Sequence, residues 1–215
     1  MKKNIIFYTL VLLLGFFASC KKDDVVQTDS QVGISHITYY ATITLKGDQY
    51  MSVVKGGTFT DPGATATAKG QPLTVTVTGS VNTAVAGMYI LTYTAVNSDG
   101  FSASQTRTVA VLPSAEQPGV DLSGTYIYVA TGGNPSTISK LAPGFYSTTN
   151  CWSGATTIPC LFICVDGANI TMPSQATAYG TLSGTGTLSP TGALTYTVTI
   201  PEQGLVNVKR NWQKQ

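Results

Sequence analysis

Four cysteines carry the most reactive side chains of this sequence: Cys20, Cys151, Cys160 and Cys164. The segment CLFIC (160–164) is predicted to be a strand, in which Cys160 and Cys164 face the same side with Cα atoms roughly 13 Å apart. A disulfide needs Cα atoms closer than about 7 Å, so these two cannot pair with each other. Cys151 can pair with either, and a bond to Cys160 would close the loop WSGATTIP. The alternative is that all three thiols stay reduced and partly buried.

Two other uses of these thiols are not favoured by their surroundings. A zinc site needs four ligands at short spacings, but there is no CxxC motif, and the one histidine, His36, is far away in sequence. A cysteine nucleophile needs a neighbouring base, and the same lack of histidine argues against one. We therefore predict no metal, no cofactor and no catalytic cysteine.

The carboxylates do not suggest a catalytic pair either. Most of them stand in turn signals, where Asp caps the local backbone, and a glycosidase needs two carboxylates held about 5–10 Å apart. The sequence has no G-x-S-x-G nucleophile elbow and no G-x-x-x-x-G-K phosphate loop. The prediction is a non-catalytic protein.

The segment GFYSTTNCW (144–152) is the best candidate for ligand binding. It clusters Phe145, Tyr146 and Trp152 with the amide of Asn150 and several hydroxyl groups. Proteins bind sugars through aromatic faces, while polar groups read the sugar hydroxyls. We therefore predict a glycan-binding site at these four residues; the alternative is that Trp152 plugs one end of a barrel.

The first 19 residues have the pattern of an export signal. Two lysines precede the apolar run Ile5–Phe17, which is too short to span a membrane. Ala18 and Ser19 then stand directly before Cys20. This arrangement resembles the bacterial lipobox, although Phe17 replaces the usual leucine. The resemblance implies that Cys20 becomes the first mature residue and carries two or three acyl chains such as palmitate, which together form a stable membrane anchor.

Residues 20–33 are predicted to be a polar tether, because they show no hydrophobic period. The tether begins with CKKDD, which resembles the acidic export tag of lipoproteins in a group of Gram-negative bacteria rich in glycan-uptake loci. The resemblance implies anchoring in the outer membrane with the protein facing the exterior. The two lysines depart from the tag, and the periplasmic face is the alternative.

Composition and alternation predict an all-β protein with two domains. Only 10% of the residues are charged, and glycine is abundant at 22, as in half-buried strands with tight turns. Without the two signal lysines, 12 − 2 = 10 basic residues face 10 acidic ones. A neutral balance does not favour nucleic-acid binding, which depends on phosphate neutralisation.

The first domain, residues 34–112, is predicted to be an immunoglobulin-like sandwich, since short alternating strands such as ITYYATITL and LTVTVTG are separated by turn signals. Residues 56–111 resemble the bacterial surface-protein immunoglobulin-like repeats through the patterns G-x-x-F-x-D-P-G-A, G-x-Y-x-x-x-Y-x-A and R-x-V-x-V. The resemblance implies a spacer or adhesion module. The chain lacks the acidic turn of calcium-binding relatives, so no metal is expected here.

Residues 113–119, PSAEQPG, are predicted to be a semi-rigid linker. Residues 120–215 then form a second antiparallel β domain, a small barrel or a sandwich, in which consecutive strands pair as a meander. This domain resembles the C-terminal domains of surface lipoproteins of the same bacterial group, for which no activity is implied.

Together these features predict a lipid-anchored surface protein that binds an extracellular polysaccharide as an accessory to an outer-membrane uptake complex. The alternative is a structural or adhesive surface protein that contacts other proteins through strand edges or loops.

Overall fold

The computed structural model describes residues 37–215, and the expectations for the signal segment, Cys20, the tether and His36 lie outside the described residues. The predicted all-β class is confirmed. The described part of the chain contains fifteen strands and one short 3₁₀ turn, Pro201–Gln203.

The first seven strands form an immunoglobulin-like sandwich of two sheets. They are β1 (Thr42–Leu45), β2 (Tyr50–Val54), β3 (Ala64–Ala68), β4 (Gln71–Leu73), β5 (Thr76–Thr78), β6 (Gly87–Val96) and β7 (Ser102–Leu112). One sheet has the order β1-β3-β4 and the other β2-β7-β6-β5, with β2 parallel to β7. The alternation along β6 places Leu91, Tyr93 and Ala95 in the core, which is the period-2 pattern of a strand with one buried face.

Two strands differ from the sequence prediction. The segment LTVTVTG does not form one strand; it divides into β4 and β5, which belong to different sheets. The segment ITYYATITL enters a sheet only at Thr42, and Ile37 is largely exposed before it. Periodicity identifies which face a residue takes, but it does not show where the chain crosses from one sheet to the other.

The remaining eight strands close into an antiparallel barrel. They are β8 (Gly124–Tyr128), β9 (Ser136–Ala142), β10 (Phe145–Thr148), β11 (Cys160–Ile163), β12 (Asn169–Thr177), β13 (Gly180–Leu188), β14 (Ala193–Ile200) and β15 (Leu205–Lys214). Each strand pairs with the next along the chain, and β15 closes the barrel against β8. The predicted meander is confirmed, with the barrel as its architecture.

The barrel interior is filled with side chains from alternate positions of its strands. Tyr126, Phe162, Tyr196 and Trp212 are among its largest buried members. Gly186 on β13 makes room for this filling, since a Cβ there would lie 2.9 Å from the ring of Tyr196. A small barrel is thus a packed core rather than a pore.

The linker lies against one end of the barrel. The carboxylate of Glu116 accepts hydrogen bonds from Gly144 N (2.9 Å) and Tyr146 OH (2.9 Å) and pairs with Lys140 Nζ (2.8 Å). Leu112 of the sandwich packs into an apolar cluster that includes Phe145 of the barrel. The two domains therefore share a packed contact at this end.

We call the opposite end the barrel mouth. It is formed by the connections 129–135, 149–159, 178–179 and 201–204. The loop 129–135 packs on the loop 149–159, where Asn134 N donates to Gly154 O at 2.8 Å.

Candidate functional site

Two of the four residues predicted to bind a ligand lie in strand β10 and are fully buried. Phe145 faces the sandwich, where its ring meets Tyr50 with centroids 6.0 Å apart. Tyr146 points into the barrel and stacks on Phe162 at 5.5 Å. Tyr146 OH also donates to Glu116 of the linker. Phe145 thus contacts the sandwich and Tyr146 the linker, and neither ring presents a face to solvent.

Asn150 is also fully buried, and it organises the loop that follows β10. Its Oδ1 accepts hydrogen bonds from Trp152 N (3.0 Å) and Ile158 N (3.3 Å), while its Nδ2 donates to Ser153 O (2.7 Å). The amide thus holds both sides of the 149–159 loop together. Its role in the structure is to position Trp152.

Trp152 is the one predicted residue that is not fully buried, and it lies half-buried at the barrel mouth. Its ring lies against the guanidinium of Arg210, with 3.7 Å from the Arg210 Cζ atom to the ring centroid. Arg210 comes from β15 and donates from Nη1 to Tyr128 OH at 3.5 Å. The mouth therefore holds a cation stacked on an indole, an arrangement that is attractive by about 0.5–2 kcal/mol depending on desolvation.

Sequence reasoning missed Arg210, although the signal was present. On β15 the residues Val208, Arg210 and Trp212 share one face, and Trp212 is buried. Since alternate residues of a strand point the same way, a buried Trp212 places Arg210 on the interior side of the barrel.

Cys151, Cys160 and Cys164 are all buried and carry free thiols. The thiol of Cys151 is hydrogen-bonded to that of Cys160, and this contact together with burial raises the pKa of Cys160 well above its usual value. The predicted strand CLFIC is one residue shorter in the structure, since β11 ends at Ile163. Cys160 and Cys164 both lie in the barrel core, and Cys164 Sγ lies 3.8 Å from Asp166 Oδ1. Burial raises the pKa of Cys164 to about 11.

Asp61, Tyr93 and Arg107, one from each of the three sandwich motifs, meet in one network. Arg107 is fully buried; it pairs with the Asp61 carboxylate and donates to Tyr93 OH (2.6 Å) and Asp48 O (2.9 Å). Burial alone would raise the pKa of Asp61, but the hydrogen bonds from Tyr93 and Gly63 and the charge of Arg107 hold it below its usual value. These motif residues therefore stabilise the sandwich by bonding to one another.

Within residues 37–215, no group of three or more His, Cys, Asp or Glu side chains is arranged to hold a metal ion. No helix in the same range is both long and apolar enough to cross a membrane.

Comparisons with known proteins agree with the sandwich assignment. Residues 43–111 match the family model of the bacterial surface protein immunoglobulin-like domain, which confirms the predicted resemblance and indicates a surface protein. A search of curated proteins found no match. Among solved structures, the crystal structure of lipoprotein BT2262 from Bacteroides thetaiotaomicron is similar, with 24% sequence identity, coverage of 82% of this chain and 100% of that chain, and a TM-score of 0.41.

Proposed function

We propose that this chain is a lipid-anchored, non-catalytic protein of the outer bacterial surface whose barrel binds an extracellular glycan as an accessory to polysaccharide uptake. The immunoglobulin-like domain of surface-protein type supports the location. The arrangement of small residues before Cys20 supports the anchor.

The observation that carries the binding role is the position of Trp152. Its loop lies at the barrel mouth, at the other end of β10 from the linker and the sandwich contact. Arg210 on one side and the Asn150 amide network beneath the loop hold the indole in place before any ligand arrives. A rigid aromatic side chain loses little conformational entropy on binding, which favours affinity.

The binding test compares Trp152→Ala with Tyr179→Ala. Tyr179 is an exposed aromatic residue in the β12–β13 turn at the same mouth, so it is a matched control for the loss of an aromatic surface. The full-length proteins, purified in a non-ionic detergent, would be run through affinity gels containing neutral or acidic polysaccharides. We expect retention of the wild type and of Tyr179→Ala, and loss of retention in Trp152→Ala. Absence of retention on every polysaccharide would refute the glycan role.

The anchor is tested separately in cells. Cys20→Ala should abolish labelling with an acyl-chain analogue and release the protein from membranes, and labelling that continues would refute lipidation. Digestion of intact cells with an external protease tests the orientation, because an outward-facing protein is cleaved without permeabilisation.

A second candidate function, contact with another protein, is favoured by one observation in the sandwich. Tyr40 and Phe101 are 65% and 48% exposed, and their ring centroids lie 5.5 Å apart. Exposed aromatic pairs are typical of protein interfaces. A photo-crosslinker at position 101 that captures a defined surface protein, with capture lost in Tyr40→Ser, would favour this function over glycan binding.

A further inference from the structure

The chain has two arginines, and their surroundings differ sharply. Nη1 of Arg107 pairs with the Asp61 carboxylate and donates to Tyr93 OH, and its Nε and Nη2 donate to three backbone carbonyls. Arg210 makes a single long hydrogen bond, 3.5 Å to Tyr128 OH, and its buried Nε has no partner within residues 37–215. The fold supplies hydrogen-bond partners for all three guanidinium nitrogens of Arg107, but it supplies none for Nε of Arg210.

Within residues 37–215, the barrel and its linker offer Arg210 no counter-charge. Their carboxylates bind elsewhere: Glu116 to Lys140, Asp121 to Ser123 N, Asp166 to Ala168 N and Asn169, and Glu202 to Thr181 N. Both ion pairs found among the described residues, Arg107–Asp61 and Lys140–Glu116, leave Arg210 out.

A second polar atom on the same face of β15 also lacks a partner. Nε1 of Trp212, two positions along the strand from Arg210, is buried and has no hydrogen-bond partner within residues 37–215. Tyr196, the cross-strand partner of Arg210, is fully buried, and its OH is directed to Thr148 instead. A buried N–H without a partner is costly. A bound ligand or ion that accepts these hydrogen bonds would offset the cost.

We propose that Arg210 binds an anionic group, a carboxylate or a sulfate, on an acidic polysaccharide. This rests on the proposed glycan function and narrows it to a substrate class. Trp152 holds the guanidinium plane through stacking at 3.7 Å, and both residues are half-buried at the mouth, so the pair remains accessible from solvent. A guanidinium with free N–H groups matches the planar, two-oxygen geometry of a carboxylate or of one face of a sulfate.

The experiment uses polymer pairs that differ only in charge. Polygalacturonate is compared with its fully methyl-esterified form, and dextran sulfate with dextran, using the full-length protein in non-ionic detergent. The variants are Arg210→Gln and Lys209→Gln; Lys209 is the exposed neighbour on the same strand, so both variants lose one positive charge. We expect retention by one acidic polymer and not by its neutral partner. We also expect Arg210→Gln to weaken retention about tenfold or more, while Lys209→Gln changes it little, because a charge-assisted hydrogen bond is lost only in the first. Arg210→Lys keeps the charge without the planar fork and should be intermediate.

The outcomes separate this inference from the proposed function. If neutral polymers are retained and Arg210→Gln has no effect, the glycan role survives and the anion site is wrong. If Arg210→Gln and Lys209→Gln weaken acidic retention equally, the attraction is non-specific and the anion site is wrong.

If no polymer is retained, the glycan role fails, and titration with small anions decides the site. Galacturonate or sulfate should then change the tryptophan emission of the wild type but not of Arg210→Gln, with galactose as the neutral control at equal ionic strength. No change in the wild type overturns the inference. Circular dichroism of Arg210→Gln checks folding, and if that variant does not fold, the comparison of Arg210→Lys with wild type on the same polymers decides.

Discussion

Replacing Asp61 with asparagine should destabilise the immunoglobulin-like domain strongly. The substitution keeps the shape and an acceptor oxygen, so the hydrogen bonds from Tyr93 OH and Gly63 N can persist. What disappears is the negative charge opposite Arg107, which is fully buried. Leaving a buried charge without its partner costs about 3–5 kcal/mol. Because the Asp61 side chain is 26% exposed, we expect the lower end, about 3 kcal/mol.

The expected change in melting temperature follows from the size of the sandwich domain, and it can be measured because both tryptophans lie in the barrel. In a domain of this size, 1 kcal/mol shifts the melting temperature by about 4–8 °C, so the sandwich should melt about 12–24 °C lower. Both tryptophans, Trp152 and Trp212, belong to the barrel. Tryptophan emission therefore reports barrel unfolding, whereas far-UV circular dichroism reports both domains, and the two signals together show which domain unfolds first.

Two further variants test whether the loss of the Arg107–Asp61 ion pair causes the destabilisation. Asp48→Asn removes an exposed carboxylate from the same domain and should change the unfolding free energy by less than about 0.5 kcal/mol. Arg107→Met combined with Asp61→Asn should cost much less than the sum of the single changes, because the second change removes the stranded charge. An Asp61→Asn protein within about 1 kcal/mol of wild type, or additive effects in the double variant, would show that the pair does not hold the sandwich together.

Three further outcomes are expected. Exported protein denatured without reductant should show a single reactive thiol, since Cys151 and Cys160 are in contact and can form a disulfide; three reactive thiols would contradict this. Gly154→Ala places a Cβ against the carbonyl of Gly132, so it should abolish glycan retention while the barrel's circular dichroism persists, and unchanged retention would count against the loop's role. The pKa of Glu116 is lowered: burial raises it, but hydrogen bonds and the Lys140 charge outweigh that effect. Its stabilisation is thus present above the unfolded pKa of about 4.3 and lost as the pH falls further. Glu116→Gln should accordingly be less stable at pH 7 in urea unfolding and lose less stability toward pH 3, whereas parallel pH profiles would contradict the assignment.

Much of the fold could be predicted because each strand has one buried face. The alternation in ALTYTVTI and LVNVKRNWQK corresponds directly to β14 and β15, and the short turns made a meander the simplest connection. Strand β9 (Ser136–Ala142) is not indicated by the sequence, since its residues STISKLA include only a weak apolar period. Strand β10 was missed for another reason: both Phe145 and Tyr146 are buried, one on each face. A strand covered on both sides shows no alternation and resembles an aromatic loop.

That same feature explains why the predicted site was only partly assembled. Nearness in sequence grouped Phe145, Tyr146, Asn150 and Trp152, but a strand sends its first two residues to opposite faces. The sandwich covers Phe145 on the outer face of β10, and on the inner face Tyr146 donates its hydroxyl to the Glu116 carboxylate of the linker. Sequence gives no indication of which outer surface of a barrel a neighbouring domain will cover, so of the four predicted residues only Trp152 is partly exposed.

The two arginines show what the sequence pattern leaves undetermined. Each lies in an alternating strand, in the contexts TRTV and KRNW, and each points to a buried face. Arg107 meets a carboxylate carried by a turn 46 residues earlier. Arg210 meets Trp152, an aromatic residue from a loop of another strand pair, and no carboxylate within residues 37–215. Arg107 is structural because the fold supplies its anion. Arg210 receives from the fold only an aromatic surface to stack on, and it is half-buried at the barrel mouth, where the proposed external anion can reach it.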